Sequence, residues 1–268
     1  MSSVAKVFST LRSSNRGAYI PYICAGDPNK EFTISVVERL SESGADIIEL
    51  GLPFSDPVAD GPTIQKAMCR SIDGGFKVKD VFEIVSSVRA RGIAKPIVLM
   101  TYANLILRTG WKEFCDMAAT SGADAILPVD IPIEESSELD KCASDRGLDI
   151  IRLIAPTTSD SRIEQILSRA SGFVYAVSVA GVTGSRETLQ ESATKLLRRV
   201  TSRSEIPVVL GFGISKPEHI GLALASGASG VVEGSELIRI YEPLLNDGTA
   251  ALESVAGHVS DMSRACEK

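Results

Sequence analysis

The chain has 268 residues, with 28 Lys and Arg against 34 Asp and Glu, so its formal net charge is −6. That balance argues against nucleic acid as a partner, because contacts to phosphates need clustered cations. The longest apolar runs are only as long as a strand, so we expect no membrane-spanning segment.

Cysteine and histidine usage narrows the possible chemistry further. The five cysteines form no C-x-x-C pair, which predicts reduced thiols and a cytoplasmic location. His219 and His258 are the two histidines, so neither a Ser-His-Asp triad nor a multi-histidine metal site is expected. We therefore expect no metal in this chain.

The first predicted element is an amphipathic helix. Val4, Val7, Phe8 and Leu11 recur at helical spacing. Residues 1–26 contain no acidic residue, which is also typical of a transit peptide. We favour a helix that covers the bottom of a barrel, and a targeting role for residues 1–17 stays open.

Further along, the chain repeats a helical segment, a glycine and a short apolar run. A glycine lets a helix end in the left-handed conformation, and apolar runs of this length are typical of parallel strands covered on both faces. The glycines that precede such runs are Gly44, Gly92, Gly122, Gly147, Gly172 and Gly227.

Counting these runs gives a fold prediction. With the apolar segments 18–23 and 206–211 there are eight strands, each followed by a helical segment. This pattern predicts one α/β domain, a TIM (β/α)8 barrel over residues 1–268, with catalysis at the C-terminal ends of the strands. An open doubly wound sheet is the competing fold, and the lack of a G-x-G-x-x-G that opens a helix disfavours its dinucleotide-binding form.

The second strand carries an acid, and so does the long loop after it. Glu49 lies in an apolar strand near the rim, where burial would raise its pKa toward that of a general acid or base. A salt bridge to a neighbouring strand is the alternative. In the proline-stiffened loop, Asp60 either binds a ligand or caps the helix that begins near Pro62.

Glycine-rich loops follow three late strands, at residues 180–185, 211–215 and 233–236. The last of them opens a short helix. Backbone N–H groups without a neighbouring Cβ are typical phosphate donors at this edge of a barrel. We therefore predict a phosphate site there and expect Thr183 to contact substrate. Aromatic and aliphatic side chains at strand ends are candidate walls of an apolar cavity: Tyr22, Met100, Tyr102, Leu127, Tyr175, Phe212 and Val232.

Four motifs in this order carry a family resemblance: ELGLPFSDPVADGPTIQ (49–65), MTYANLI (100–106), AGVTG (180–184) and GFGIS (211–215). From Ala18 to Tyr241 the chain closely resembles the tryptophan synthase alpha chain. The resemblance implies a TIM barrel and retro-aldol cleavage of indole-3-glycerol phosphate to indole and glyceraldehyde 3-phosphate. It also implies a beta chain as partner in an alpha-beta-beta-alpha assembly. Pyridoxal phosphate is expected in that partner and no cofactor in this chain.

The resemblance also implies roles for single residues. It makes Glu49 the acid and base and Asp60 the partner of the indole nitrogen, while Tyr175 and Phe212 line the pocket. Its phosphate binders are Gly184, Gly213, Gly234 and Ser235. Two positions depart from the family, because Val179 stands where many bacterial relatives have Arg and Tyr22 stands where Phe is common.

Three alternatives remain at the sequence level. The first is a stand-alone lyase that releases free indole, and the second is a barrel that serves chiefly as an allosteric binding module. The third is another phosphate-binding barrel enzyme, which the lack of a strand-end histidine disfavours. If a beta chain binds, residues 53–58 and 128–135 are the predicted contacts, because prolines and acids stiffen and charge that rim.

Overall fold

The computed structural model describes residues 1–177, 191–211 and 213–267, in which strands and helices alternate. The strands are β1 (Ala18–Cys24), β2 (Ile48–Gly51), β3 (Ile97–Thr101), β4 (Ala125–Pro128), β5 (Asp149–Ile150), β6 (Arg152–Ile154), β7 (Val174–Val177), β8 (Val208–Gly211) and β9 (Gly230–Glu233). The α-helices are α1 (Ser3–Ser13), α2 (Lys30–Glu42), α3 (Pro62–Asp73), α4 (Val78–Ala90), α5 (Ala103–Thr109), α6 (Trp111–Ser121), α7 (Ser137–Ser144), α8 (Asp160–Leu167), α9 (Glu191–Thr201), α10 (Pro217–Ala225), α11 (Ser235–Tyr241) and α12 (Gly248–Arg264). A 3₁₀ turn, Glu242–Leu244, joins the last two helices.

All strand pairs in the described part of the sheet are parallel, in the order β5-β4-β3-β2-β1-β9-β8-β7-β6. β5 and β6 are the two edge strands of this order, and only Ile151 separates them in the chain. The backbone at Ile151 therefore connects the two edges of the sheet. The predicted fifth strand is divided there because its first half pairs with β4 and its second half with β7. The predicted TIM barrel is therefore confirmed. It has eight strand positions, and the fifth is interrupted into β5 and β6.

The predicted glycine turns are confirmed at the ends of the helices. Gly122 (φ +94°) follows α6, and Gly227 (φ +99°) lies just after the end of α10. Both dihedral angles lie in the left-handed region, which costs little without a Cβ. The chain can thus reverse at the bottom of the barrel and enter the next strand directly.

The predicted N-terminal helix is confirmed as α1. Val4 and Phe8 are buried, and the Phe8 ring lies 5.7 Å from that of Phe173, the residue before β7. The Ser3 hydroxyl donates a hydrogen bond to Asp124, which precedes β4. Both partners lie at the N-terminal ends of strands, so α1 covers the bottom of the barrel.

Two local predictions need correction. The sequence pattern predicts only a strand end after β3, whereas the chain continues there as helix α5. The sequence pattern also predicts a helix over residues 134–146, whereas α7 begins at Ser137, because Pro132 and the turns after it occupy the start of that segment. Among the described residues, no helix is long and apolar enough to span a membrane.

The backbones of β1 and β9 approach each other closely at Gly230, and a substitution there tests this approach. A Cβ added to Gly230 would lie 2.6 Å from the backbone oxygen of Ala18. We expect Gly230→Ala to lower the free energy of unfolding by about 1–3 kcal/mol through overpacking. Gly221→Ala is the matched control, because Gly221 is an exposed position in α10 with open space around it.

We expect Gly221→Ala to raise the free energy of unfolding by about 0.5–1 kcal/mol, as alanine does in a helix interior. Urea denaturation midpoints of the two variants and the wild type measure both effects. Equal midpoints for Gly230→Ala and wild type would contradict the close approach of the two strands.

Candidate active site

Glu49 lies on β2, two residues before the strand ends at Gly51. Its Cα pairs in register with Tyr22 on β1 and Val98 on β3. The side chain is only 1% exposed, and neither carboxylate oxygen has a hydrogen-bond partner among the described residues. Burial, and then repulsion from Asp60, raise the pKa of Glu49 to about 8. The alternative of a salt bridge within the sheet finds no support here.

Asp60 is fully buried at the end of the loop that follows β2. Its Oδ2 accepts a hydrogen bond from the Tyr102 hydroxyl at 2.5 Å, while its Oδ1 has no partner in the described ranges. The N-cap of α3 is Gly61, without a side-chain cap, so Asp60 does not cap that helix. Burial raises the pKa of Asp60 to about 6, although the Tyr102 hydroxyl favours the ionised form.

Tyr102 and Leu127 do not line the cavity, contrary to the sequence-based expectation. The Tyr102 hydroxyl accepts a hydrogen bond from the N–H of Ala59 at 3.1 Å while it donates to Asp60. Its ring stacks on Phe54 at 4.9 Å. Leu127 is fully buried in the core. Tyr102 therefore holds the acidic loop in place, because its hydroxyl is satisfied within the protein.

A cavity opens above these two acids at the C-terminal ends of the strands. It brings together most of the site residues predicted from the sequence. Those that line it are Tyr22, Glu49, Asp60, Met100, Tyr175, Gly213, Val232, Gly234 and Ser235. Thr183, Gly184, Phe212 and the departure at Val179 lie outside the described residues, so their placement stays a prediction.

Sequence reasoning missed five residues that also line the cavity: Ile64, Ile214, Ser215, Glu236 and Arg239. Ile214 and Ser215 lie in the glycine loop already singled out, so their position was available as a signal. Arg239 lies one helical turn after Ser235, and its guanidinium pairs with Glu236 at 3.0 Å. It is the one cationic side chain among the described lining residues.

The end of the cavity formed by the residues after β8 and β9 carries glycine and hydroxyl groups. Gly213 has a φ of +84°, and Gly234 is the N-cap of α11. The neighbouring Glu233 does not line the cavity, because its carboxylate is bound by the Tyr19 hydroxyl and by His258 at 2.8 Å. This end can therefore accept an anion without facing the Glu233 charge.

Unpartnered polar atoms are concentrated in this cavity. Within the described residues, the Tyr22 hydroxyl, both oxygens of Glu49 and Oδ1 of Asp60 are buried without a hydrogen bond. Each unsatisfied buried group costs about 1–3 kcal/mol. Such groups therefore indicate a ligand that supplies the missing partners. Three of the four atoms are carboxylate oxygens, so the complementary ligand presents hydrogen-bond donors to the acids.

The geometry defines a class of protein: a TIM-barrel enzyme with two buried carboxylates and a glycine-lined end in the same cavity. A family model described as tryptophan synthase alpha chain matches residues 8–267. The chain belongs to the tryptophan synthase alpha chain family. The alpha subunit is a lyase that cleaves indole-3-glycerol phosphate within the tryptophan synthase complex.

Individual relatives agree with the family match. The tryptophan synthase alpha chain of Carboxydothermus hydrogenoformans is 44% identical over 90% of each chain. The structure of Mycobacterium tuberculosis tryptophan synthase superposes with a TM-score of 0.91 at 32% identity, covering 100% of this chain and 99% of that one. The tryptophan synthase complex of Pyrococcus furiosus gives a TM-score of 0.85 at 41% identity, over 92% and 98% of the two chains.

The raised pKa of Glu49 makes stability depend on pH. Between the ordinary value of 4.5 and about 8, the folded protein keeps a proton that the unfolded chain has released. The contribution of Glu49 to the free energy of unfolding therefore falls as pH rises through this range. The Glu49→Gln variant does not lose stability in this way. The free energy of unfolding of the variant minus that of the wild type should therefore increase by roughly 1 kcal/mol for each unit of rising pH in this range.

Urea midpoints at pH 5, 6, 7 and 8 measure this difference. Glu253→Gln, on an exposed position of α12, is the control for the amide substitution itself. A constant difference between Glu49→Gln and wild type over the whole range would contradict a buried carboxyl with a raised pKa.

Proposed function

We propose that Glu49 is the acid and base, and Asp60 the indole-nitrogen partner, in the cleavage of indole-3-glycerol phosphate by this chain. The observation that carries the proposal is the set of unpaired carboxylate oxygens in a cavity that also has a glycine-lined end. The products are indole and glyceraldehyde 3-phosphate.

The two ends of the cavity fit the two ends of this substrate. Backbone N–H groups at Gly213 and Gly234, with the Ser235 hydroxyl, would bind the phosphate, as would Gly184 in the loop outside the described ranges. Apolar side chains such as Met100, Ile64 and Val232 fit the indole ring. Binding at both ends would hold the bond that breaks between them beside the acids.

Glu49 supplies the proton that the chemistry requires. Indole is a poor leaving group until its C3 carbon is protonated, and a carboxyl with a pKa near 8 carries a proton at neutral pH. The hydroxyl on the adjacent chain carbon then loses its proton to the same carboxylate and becomes the aldehyde. The electron pair of the broken carbon–carbon bond returns to the indole ring, so the enzyme regains its starting protonation state.

Asp60 plays the complementary electrostatic role. Protonation at C3 puts positive charge on the indole nitrogen, and the free Oδ1 of Asp60 can accept the hydrogen bond from that N–H. Its pKa of about 6 keeps Asp60 ionised at neutral pH. Tyr102 fixes the other oxygen, so the carboxylate does not need to reorganise as the charge develops.

We also propose a tryptophan synthase beta chain as the partner. Two of the similar solved structures are described as tryptophan synthase complexes. At the rim of the cavity, Val58 is 76% exposed in the loop after β2, and Leu107 is 52% exposed on α5. Exposed aliphatic side chains on neighbouring rim segments favour a protein interface there. Pro132 and Asp56, in the loops predicted as contacts, are exposed as well.

Pyridoxal phosphate would belong to this beta chain, where it would support the joining of indole with serine. The alpha reaction as derived above uses only side chains of the present chain. A cytoplasmic location is part of the same proposal, and the absence of a disulfide among the five cysteines supports it.

Indole release from indole-3-glycerol phosphate, measured with and without a beta chain, tests the function. We expect Glu49→Gln to lower kcat by about 10²–10⁴, the usual contribution of general acid–base catalysis. Substrate affinity should stay within a few fold. Asp60→Asn should lower kcat by about 10²–10³ and leave the affinity for inorganic phosphate unchanged.

Asp73→Asn is the matched control, because Asp73 is an exposed acid at the C-terminal end of α3. An active Glu49→Gln variant would overturn its assignment, and an Asp60→Asn variant that mainly weakens phosphate binding would overturn that of Asp60. High indole release without a beta chain, unchanged on adding one, would favour a stand-alone lyase.

The interface can be tested through its exposed aliphatic residues. We expect the double variant Val58→Asp, Leu107→Asp to weaken binding to a beta chain by about 10-fold or more, because burying each side chain contributes about 1.5–3 kcal/mol. Leu222→Asp is the control, since Leu222 is 53% exposed on α10. Calorimetry measures these affinities. If the double variant and the wild type bind the beta chain equally well, the segments that carry Val58 and Leu107 are not the interface.

A further inference from the structure

The Tyr22 hydroxyl is an unexplained donor inside the cavity. Tyr22 lies on β1 with its Cα in register with Glu49, and its side chain is one of the cavity walls. The residue is only 2% exposed, and the hydroxyl finds no hydrogen-bond partner in the described part of the chain. A phenylalanine would fill the same space without leaving a buried polar group unsatisfied. The hydroxyl therefore indicates a partner supplied by a ligand.

The ring of Tyr22 extends between the two ends of the site. A Cβ added at Gly234 would lie 3.1 Å from ring atom Cδ1, and one added at Gly51 would overlap the hydroxyl itself. The ring therefore starts beside the phosphate end and carries its hydroxyl to the strand end that follows Glu49. The part of the proposed substrate between those ends is the three-carbon glyceryl chain.

The neighbouring groups decide which atom of that chain the hydroxyl meets. Glu49 offers only acceptor oxygens once it is ionised, whereas the Tyr22 hydroxyl is a donor in the same region. Burial raises the pKa of Tyr22, as do the nearby thiol of Cys24 and the carboxylates of Asp60 and Glu49, so the phenol keeps its proton. A substrate hydroxyl between the two can donate its proton toward Glu49 while its oxygen accepts from Tyr22.

We propose that the Tyr22 hydroxyl donates a hydrogen bond to the reacting hydroxyl oxygen of the glyceryl chain, the one whose proton passes to Glu49. This proposal rests on the proposed function. The oxygen gains negative charge as its proton leaves, so the hydrogen bond strengthens in the transition state. Tyr22 thereby orients the chain for the transfer and selects substrates that carry a hydroxyl at that carbon.

Tyr22→Phe tests the proposal, because it removes one oxygen and keeps the ring. We expect kcat/KM for indole-3-glycerol phosphate to fall about 10- to 100-fold, mostly through kcat. The dissociation constant of indole-3-propanol phosphate, which has the same ring and phosphate but no chain hydroxyls, should change less than twofold. The thermal unfolding midpoint should be equal to or above that of wild type, since an unpaired buried hydroxyl is removed.

Tyr241→Phe is the matched control, because the buried Tyr241 hydroxyl lies outside the cavity and donates a hydrogen bond to Asp27 at 2.7 Å. We expect the opposite pattern for it, with a lower unfolding midpoint and kcat/KM within twofold of wild type. A Tyr22→Phe variant with wild-type kcat/KM, or with equal losses for both ligands, would refute the proposal. Wild-type protein that does not cleave the substrate would instead refute the proposed function.

Discussion

The active site depends on two carboxylates that are buried in one cavity and form no ion pair with the described residues. Burial raises the pKa of Glu49 to about 8 and that of Asp60 to about 6. At neutral pH, one acid is therefore protonated and the other ionised, although both are carboxyl groups in the same space. The difference follows from the surroundings, because Asp60 receives a hydrogen bond from Tyr102 and Glu49 receives none from the described residues. A proton donor and a negative charge are thus held side by side.

The other end of the cavity is protected from the acidic side chains around it. Glu233 is bound by Tyr19 and His258, and Glu236 is paired with Arg239. The hydrogen bond to Glu233 raises the pKa of His258 despite the opposing effect of burial, so the imidazole is more readily charged beside that carboxylate. A phosphate bound at Gly234 would therefore meet backbone N–H groups. This separation of charge suits a substrate with a cation-forming ring at one end and a dianion at the other.

The sequence predicted much of this architecture because its signals are local. A glycine at each helix end, followed by an apolar run, needs only the neighbouring residues to be interpreted. Glu49 could be placed near the rim from strand alternation alone. The role of Asp60 could not be assigned from the sequence. An aspartate just before a helix can either cap that helix or bind a ligand, and both roles give the same sequence pattern. Gly61 as the N-cap, and Tyr102 as the hydrogen-bond partner of Asp60, exclude the capping role.

The sequence by itself determined the eight-fold alternation of strands and helices, the acid on the second strand and the family. Tertiary structure decided which side chains face the cavity, which are satisfied elsewhere, and where the fifth strand is interrupted. Tyr102 shows why, since it directly follows a strand, where a wall residue is expected, yet its hydroxyl is bound to an acid 42 positions away. Strand alternation sets the face of a side chain, whereas its partner depends on contacts between residues far apart in the chain, which no local pattern encodes.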